Sequence, residues 1–90
     1  MVRERYQIEF FPEAISDLKK VEKSVALRVL NKLKWISENF SEITPESLTG
    51  KLKGLFKLRV GNWRVIYSVD RKKKVIKIYM VAHRSKIYKF

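Results

Sequence analysis

Three apolar runs in the second half of the chain constrain its fold more than any other feature. Residue types that favour β-strands, namely Val, Ile, Tyr, Phe and Trp, dominate residues 55–60, 63–70 and 75–82. The runs are separated by Gly61-Asn62 and by residues 70–74, which are typical of tight turns. Because strands joined by such short turns pair antiparallel, this half of the chain is predicted to be a three-stranded β-meander.

The first half of the chain has the pattern of one strand followed by two helices. Alternating apolar and polar residues predict a strand over residues 6–11, and Pro12 favours the first turn of a helix over residues 13–21. Ser24 is predicted to be the N-cap of a second helix, and residues 41–50 are predicted to be a loop. The apolar residues of the second helix recur at spacings of three and four: Ala26, Val29, Leu30, Leu33, Ile36 and Phe40.

These elements predict a single α+β domain over residues 1–90. The expected architecture is an antiparallel β-sheet of about four strands in the chain order β-α-α-β-β-β, with the N-terminal helix hairpin packed on one face. A chain of 90 residues is long enough to bury one modest core.

Cysteine is absent from the sequence, which excludes a disulfide scaffold, a thiolate metal site and a cysteine nucleophile. No apolar stretch has the length of a signal peptide or of a membrane span. The sequence therefore predicts a cytoplasmic protein with no membrane partner.

Positive charge is concentrated in the second half of the chain. The net charge of the whole is +12, but residues 1–45 hold eight basic and seven acidic residues, whereas residues 46–90 hold thirteen basic residues and only Glu46 and Asp70 as acids. A field of one sign costs self-repulsion and is typical of proteins with a polyanionic partner. Nucleic acid is the leading candidate, and an acidic protein is the second.

Strand geometry is expected to gather part of this charge. If Gly61-Asn62 is a two-residue turn, Arg59 lies directly opposite Arg64, and Lys57 shares their face, which is predicted to point away from the helices. Opposed arginines destabilise a sheet unless an anion lies between them, so the pattern favours an anion site. The alternative is that the guanidinium groups splay into water.

The available chemistry is limited by the residue types present. His83 is the only histidine, and the second half has too few carboxylates for a two-metal nuclease site. Metal-free phosphodiester cleavage remains possible, because arginines stabilise the charge of a phosphorane and the 2′-hydroxyl of RNA can act as the nucleophile. A bend near Ala82-His83 is expected to turn Arg84 outward. Tyr88 either stacks on an unpaired base or anchors the tail.

Two segments of this sequence resemble the RelE family of toxin–antitoxin ribonucleases. They are Leu55-Phe56-Lys57-Leu58-Arg59-Val60-Gly61-Asn62-Trp63-Arg64-Val65-Ile66-Tyr67 and Val81-Ala82-His83-Arg84-Ser85-Lys86-Ile87-Tyr88. The resemblance implies metal-free cleavage of messenger RNA in the ribosomal A site, without a cofactor, and a small acidic antitoxin similar to RelB. It also implies that translation is inhibited.

The resemblance assigns roles to five positions. It implies that Lys57 is the general base, that Arg59 assists it or binds phosphate, and that Arg64 stabilises the transition state. It further implies that Arg84 assists the leaving oxygen and that Tyr88 stacks on or orients the nucleotide. Other basic residues are expected to bind RNA: Lys51, Lys53, Lys72, Lys73, Lys74, His83 and Lys86. The alternatives are a ParE-like gyrase inhibitor of the same fold and a non-enzymatic RNA-binding or ribosome-binding module.

Overall fold

A computed structural model describes residues 5–87 of the chain, which form one mixed β-sheet with helices. The strands, in chain order, are β1 (Gln7–Phe10), β2 (Glu46–Ser47), β3 (Phe56–Val60), β4 (Trp63–Asp70) and β5 (Val75–His83). The helices are α1 (Pro12–Lys20), α2 (Lys23–Asn39) and α3 (Arg84–Ile87), and short 3-10 turns cover Phe40–Glu42 and Gly50–Leu52. Within residues 5–87 the sheet has five strands in the order β1-β5-β4-β3-β2.

The predicted α+β class and the predicted meander are confirmed, with two corrections to the sheet. Strand β1 runs parallel to β5, with Ile8 paired with Ile76, so the sheet is mixed and not antiparallel throughout. Alternation along a strand predicts which residues share a face, but it is the same for both directions of pairing. The second correction is β2, which lies inside the predicted loop; its two polar residues are too few to show a period.

The main core lies between one face of the sheet and helices α1 and α2. Side chains of Val29, Leu33 and Ile36 on α2 are at most 2 % exposed. They pack in one cluster with sheet residues that include Val65 and Tyr67. None of the helices in the described part of the chain is long and apolar enough to cross a membrane.

Two details of α2 differ from the prediction. The helix begins at Lys23, with Glu22 in the N-cap position and no side-chain capping bond, so Ser24 lies inside the helix and is not its cap. Leu30 is 42 % exposed although its spacing fits the apolar stripe. The stripe is wider in the sequence than the part of the helix that contacts the sheet.

The end of β5 is held by a contact from α1. Strand β1 pairs with β5 only as far as Ile78, so the backbone of β5 beyond that point has no strand on this side. The Val81 amide donates a hydrogen bond of 2.9 Å to the Asp17 Oδ2 atom of α1. This bond satisfies a backbone donor that would otherwise lack a partner on this edge, and it fixes the segment that leads into α3.

Candidate functional site

The hairpin turn between β3 and β4 gathers the arginines as the sequence predicts. Arg59 pairs with Arg64, and Val60 pairs with Trp63. Gly61 has a φ of +59°, the left-handed conformation that a two-residue turn of this kind requires and that glycine adopts without strain. The predicted register is therefore confirmed.

Arg64 is buried, which corrects the prediction that it points outward with Lys57 and Arg59. It is 6 % exposed, and its Nη1 atom donates to the Gly61 carbonyl at 2.9 Å and to the Trp63 carbonyl at 2.8 Å. Its Nε atom is buried without a hydrogen-bond partner among the described residues. The guanidinium group is thus fixed against the turn, with its buried Nε donor unused.

Arg64 is not the only described residue that is buried on the second face of the sheet. Ile66 lies on the Arg64 face and is 1 % exposed, and Ile87 of α3 is 6 % exposed. Neither belongs to the main core, and α3 contacts both β4 and β5. The predicted chain order has no helix after the third strand of the meander, so it provides no cover for this face.

Lys57 and Arg59 both contact a carboxylate of the same chain. Glu46 Oε2 lies 3.4 Å from Lys57 Nζ, and Glu46 Oε1 lies 3.1 Å from Arg59 Nη2. The Lys57 side chain is only 13 % exposed, which corrects the prediction that it points outward, whereas the Arg59 side chain is 61 % exposed as predicted. An anion therefore does accompany the cations, but Glu46 supplies it. Sequence reasoning missed Glu46 because the residue belongs to β2, within the predicted loop.

The two cations determine the charge state of Glu46. Partial desolvation raises the pKa of this carboxyl, but hydrogen bonds and charge from Arg59 and Lys57 together outweigh it and hold the pKa below its ordinary value. Glu46 is consequently ionised at neutral pH.

A cleft between α2 and β3 exposes this ion-paired group. Its lining includes Lys32, Trp35, Glu46, Lys57 and Arg59. The Trp35 side chain is 44 % exposed. Sequence reasoning missed Trp35 as well, although a signal was available: a large aromatic residue that falls outside the apolar stripe of an amphipathic helix has to meet solvent or a partner.

The C-terminal residues join the same hairpin turn. Strand β5 ends at His83 and α3 begins at Arg84, which is exposed, so the predicted bend is confirmed. The Arg84 amide donates to the Asn62 carbonyl at 2.8 Å. His83 Nδ1 accepts from the Ser85 amide at 3.3 Å, so this ring caps the first turn of α3. Tyr88 lies outside the described residues.

The structure separates the predicted RNA-binding lysines from the arginines. Residues 72–74 follow β4, at the opposite end of that strand from Arg64, and eight residues of strand span roughly 24 Å. Lys51 and Lys53 precede β3 and are exposed, and Lys86 is exposed on α3. Arg59, Arg64 and the backbone of Arg84 meet at the β3–β4 turn, and Lys57 lies two residue pairs away along β3.

Carboxylates and histidine are dispersed in the described part of the chain. Within residues 5–87 no three side chains of His, Cys, Asp or Glu are grouped so that they could hold a metal ion. The groups that the site offers to a ligand are therefore guanidinium and ammonium donors, one carboxylate and an indole ring. Such a set binds phosphate oxygens and can stack on a base.

Comparison with known proteins places this arrangement in a family. Residues 8–88 match the family model described as the ParE toxin of the type II toxin–antitoxin system parDE. A RelE-like toxin protein of Escherichia coli is 28 % identical over 87 residues, which cover 91 % of this chain and 86 % of that protein.

Solved structures give the same result at the level of the fold. A chain of the RelBE2 toxin–antitoxin complex of Mycobacterium tuberculosis superposes with a TM-score of 0.80 at 26 % identity, covering 90 % of this chain and 93 % of that one. A chain of the archaeal RelE–RelB complex of Pyrococcus horikoshii superposes with a TM-score of 0.72 at 28 % identity, covering 91 % and 98 %. The chain thus belongs to the ParE toxin family of type II toxin–antitoxin systems, within the RelE/ParE superfamily.

Proposed function

We propose that this toxin is a ribosome-dependent, metal-free endoribonuclease that cleaves messenger RNA in the ribosomal A site and so inhibits translation. The observation that carries the proposal is the clustering of Arg59, Arg64 and Arg84 at the β3–β4 turn, beside the ion pair of Lys57 and Glu46. Gyrase inhibition does not call for such a phosphate-binding set, whereas a phosphodiester cleavage without a metal does.

The cations divide the work of holding the phosphate. Arg64 is fixed by two carbonyls of the turn, so it meets the developing charge without having to be ordered first. Its buried Nε atom has no partner among the described residues, so one donor remains for a phosphate oxygen. Arg59 and Arg84 are exposed and bind the substrate from solvent, with Arg84 assisting the leaving oxygen.

Proton removal from the 2′-hydroxyl is assigned to the pair of Lys57 and Glu46. The ion pair requires the ammonium form of Lys57 and the carboxylate form of Glu46. Only the carboxylate can accept a proton without first losing one, so Glu46 is the accepting member and Lys57 its cationic partner. This assignment adds Glu46 to the residues that the resemblance implies and shifts the role of Lys57. Tyr88 retains its proposed role of stacking on or orienting the nucleotide.

Two partners follow from the proposal. The first is the ribosome with its bound message, toward which the lysines of residues 72–74 steer the domain by long-range attraction. The second is an acidic antitoxin similar to RelB, because related toxins of M. tuberculosis and P. horikoshii were solved in complexes with their antitoxins. Charge complementarity with a chain of net charge +12 supports an acidic partner.

Primer extension on a translated message tests the proposal. Wild-type protein is expected to produce breaks within A-site codons, and Arg84→Ala is expected to reduce them by about 100-fold, the scale of one lost oxyanion donor. Arg84 is exposed, so circular dichroism should show an unchanged fold. Lys34→Gln, which removes an exposed charge on α2 outside the cleft, serves as the control and should cleave normally. Intact message with the wild-type protein would refute the proposal.

The match to the ParE family model supports one alternative function. A gyrase-directed toxin would inhibit DNA supercoiling and leave translated message intact. A supercoiling assay with the same preparation separates the two functions, and a non-enzymatic RNA-binding module would bind RNA while failing both assays.

A further inference from the structure

A second basic groove lies beside the cleft, on the other side of Trp35. It runs between α2 and the β3–β4 turn and is lined by Arg28, Asn31, Lys32, Trp35, Arg59 and Gly61. Its volume of about 530 Å³ falls within the range of roughly 300–1,000 Å³ that is usual for ligand sites. Every charged residue of this lining is a cation.

The Arg28 side chain lies against Gly61 of the β3–β4 turn. A Cβ atom built on Gly61 would lie 2.7 Å from Arg28 Nη2. The guanidinium group thus occupies the space that any side chain at position 61 would take. Arg28 is exposed as a whole, so the charge at this wall of the groove is open to solvent.

Trp35 provides a planar surface next to these cations. The ring is 44 % exposed, and Lys32 Nζ lies 5.1 Å from its centroid. Lysine chains are flexible, so Lys32 can exchange its contact with the ring for a phosphate when a base approaches. Exposed aromatic rings among cations are typical of sites that hold single-stranded nucleic acid, in which bases stack and phosphates are neutralised.

The groove and the cleft are continuous. Lys32, Trp35 and Arg59 line both of them. Arg59 contacts Glu46 in the cleft and at the same time borders the groove that contains Arg28. A strand whose phosphate binds at Arg59 is therefore led past the Trp35 ring to Arg28.

We infer that this groove binds the single-stranded RNA that flanks the cleaved bond. One base stacks on Trp35, and the neighbouring phosphates bind Arg28 and Lys32. The inference rests on the proposed function for the identity of the strand. An acidic peptide would satisfy the same cations, but it has no planar base for the exposed indole, so the observations favour RNA.

Fluorescence anisotropy with a labelled single-stranded RNA tests the inference. The full-length protein is titrated into an RNA that carries 2′-O-methyl groups, which cannot be cleaved by 2′-hydroxyl attack. Trp35→Ala is expected to weaken binding roughly 5- to 100-fold, the usual range for one lost base stack, with Trp35→Phe partly restoring it. Arg28→Gln is expected to weaken binding and to lower the slope of log affinity against log salt by about 0.7, the value for one phosphate contact on a single strand.

Matched controls make each outcome decisive. Lys34→Gln removes the same charge from the same helix outside the groove and should bind within about twofold of the wild type, since only general attraction is lost. Equal binding by the Arg28, Trp35 and Lys34 variants would overturn the inference. The inference would also be overturned if the Arg28 and Trp35 variants lose binding to a glutamate-rich peptide but bind RNA as the wild type does. The groove would then be a site for an acidic protein.

Failure of the proposed function would be visible separately. The anisotropy assay contains no ribosome and depends on no cleavage. If the wild-type protein leaves translated message intact but the Trp35 and Arg28 variants lose affinity for RNA, the groove is retained and the nuclease function is rejected.

Discussion

Strand β4 has a basic cluster at each of its ends, and the two clusters are built differently. At the β3–β4 turn, Arg64 is 6 % exposed and donates to two carbonyls, while Arg28 fills the space above Gly61. At the β4–β5 turn, Lys72 and Lys73 are exposed, and their amides are held by Asp70 Oδ1 at 3.1 and 3.0 Å.

The contrast shows that charge density alone does not define a phosphate site. Asp70 fixes the backbone of its turn and leaves the lysine side chains to solvent, where they attract a polyanion from any direction. The other turn fixes the guanidinium group of Arg64 itself. A group that is ordered before substrate arrives stabilises a transition state with little further reorganisation, and under the proposed function this difference assigns catalysis to one turn and steering to the other.

The largest expected effect comes from removing the ordered charge. Arg64→Ala should lower the rate of cleavage of ribosome-bound message by about 10²–10³-fold, because a preorganised donor to the phosphorane is lost. The double variant of Lys72→Ala and Lys73→Ala should lower it only a few-fold, and less at high salt. Single-turnover cleavage at two salt concentrations measures both.

Stability has to be followed in the same variants. Arg64→Ala also removes two hydrogen bonds from a charged group, so a loss of about 2–3 kcal/mol is expected in urea unfolding. Arg64→Lys keeps the charge without the planar fork and should recover stability more than activity. The comparison of the two turns fails if the double variant of Lys72 and Lys73 loses as much activity as Arg64→Ala.

Pairing and register could be read from the sequence, but burial could not. The turn residues and the apolar runs fix Arg59 opposite Arg64, and the structure agrees. Arg64 is buried in a strand that α3 contacts, and the four residues of α3 are too few to show a helical period. Glu46 contacts Lys57 and Arg59 only because the two-residue strand β2 pairs with β3. A strand this short leaves no alternating pattern in the sequence from which the pairing could be predicted.

Gly61→Ala should have the second largest effect, and it acts on stability. A non-glycine residue at a φ of +59° costs about 1–2 kcal/mol. The new methyl group also displaces the Arg28 guanidinium, the far end of a flexible chain that can move at little cost. Gly61→Asn is the control, since asparagine tolerates this conformation better, and it should unfold at higher urea than Gly61→Ala. Equal stability of Gly61→Ala and the wild type would show that the turn does not need its glycine.

Glu46→Gln should have a smaller effect than these losses, and it should raise the affinity for RNA rather than lower it. Without the carboxylate, Lys57 and Arg59 lose an anion that competes with phosphate, so affinity for an uncleavable RNA should rise roughly fivefold at low salt, the scale of an exposed charge pair. Glu42→Gln is the control, because Glu42 is an exposed acid outside the cleft. An affinity that matches this control would show that Glu46 does not compete with the substrate.

The ionisation of Glu46 also predicts that RNA affinity depends on pH. The pKa of Glu46 is lowered, so the carboxylate persists as the pH falls from neutral and is neutralised only near that lowered pKa. Protonation then releases the two cations, and the RNA affinity of the wild type should rise in that acidic range. Anisotropy titrations should show this rise in the wild type and not in Glu46→Gln, which cannot be protonated there. Identical pH profiles for the two proteins would contradict the assignment.

The smallest expected effect lies at the other end of β4. Lys74 has a φ of +56°, a conformation that strains a lysine by about 1 kcal/mol and a glycine not at all. Lys74→Gly relieves this strain but adds freedom to the unfolded chain, a cost of about 0.5–1 kcal/mol, so these two backbone effects should cancel to within about 0.5 kcal/mol. Lys73→Gly in the same turn gains no such relief, because Lys73 lies outside the left-handed region, and it should lose about 0.5–1 kcal/mol.

Urea unfolding measures the difference in stability between these two variants. Cleavage by both should stay within a few-fold of the wild type, since the proposed function assigns their lysines only to steering. A cleavage loss in Lys74→Gly as large as that of Arg64→Ala would place ordered chemistry at both ends of the strand and remove the distinction between them.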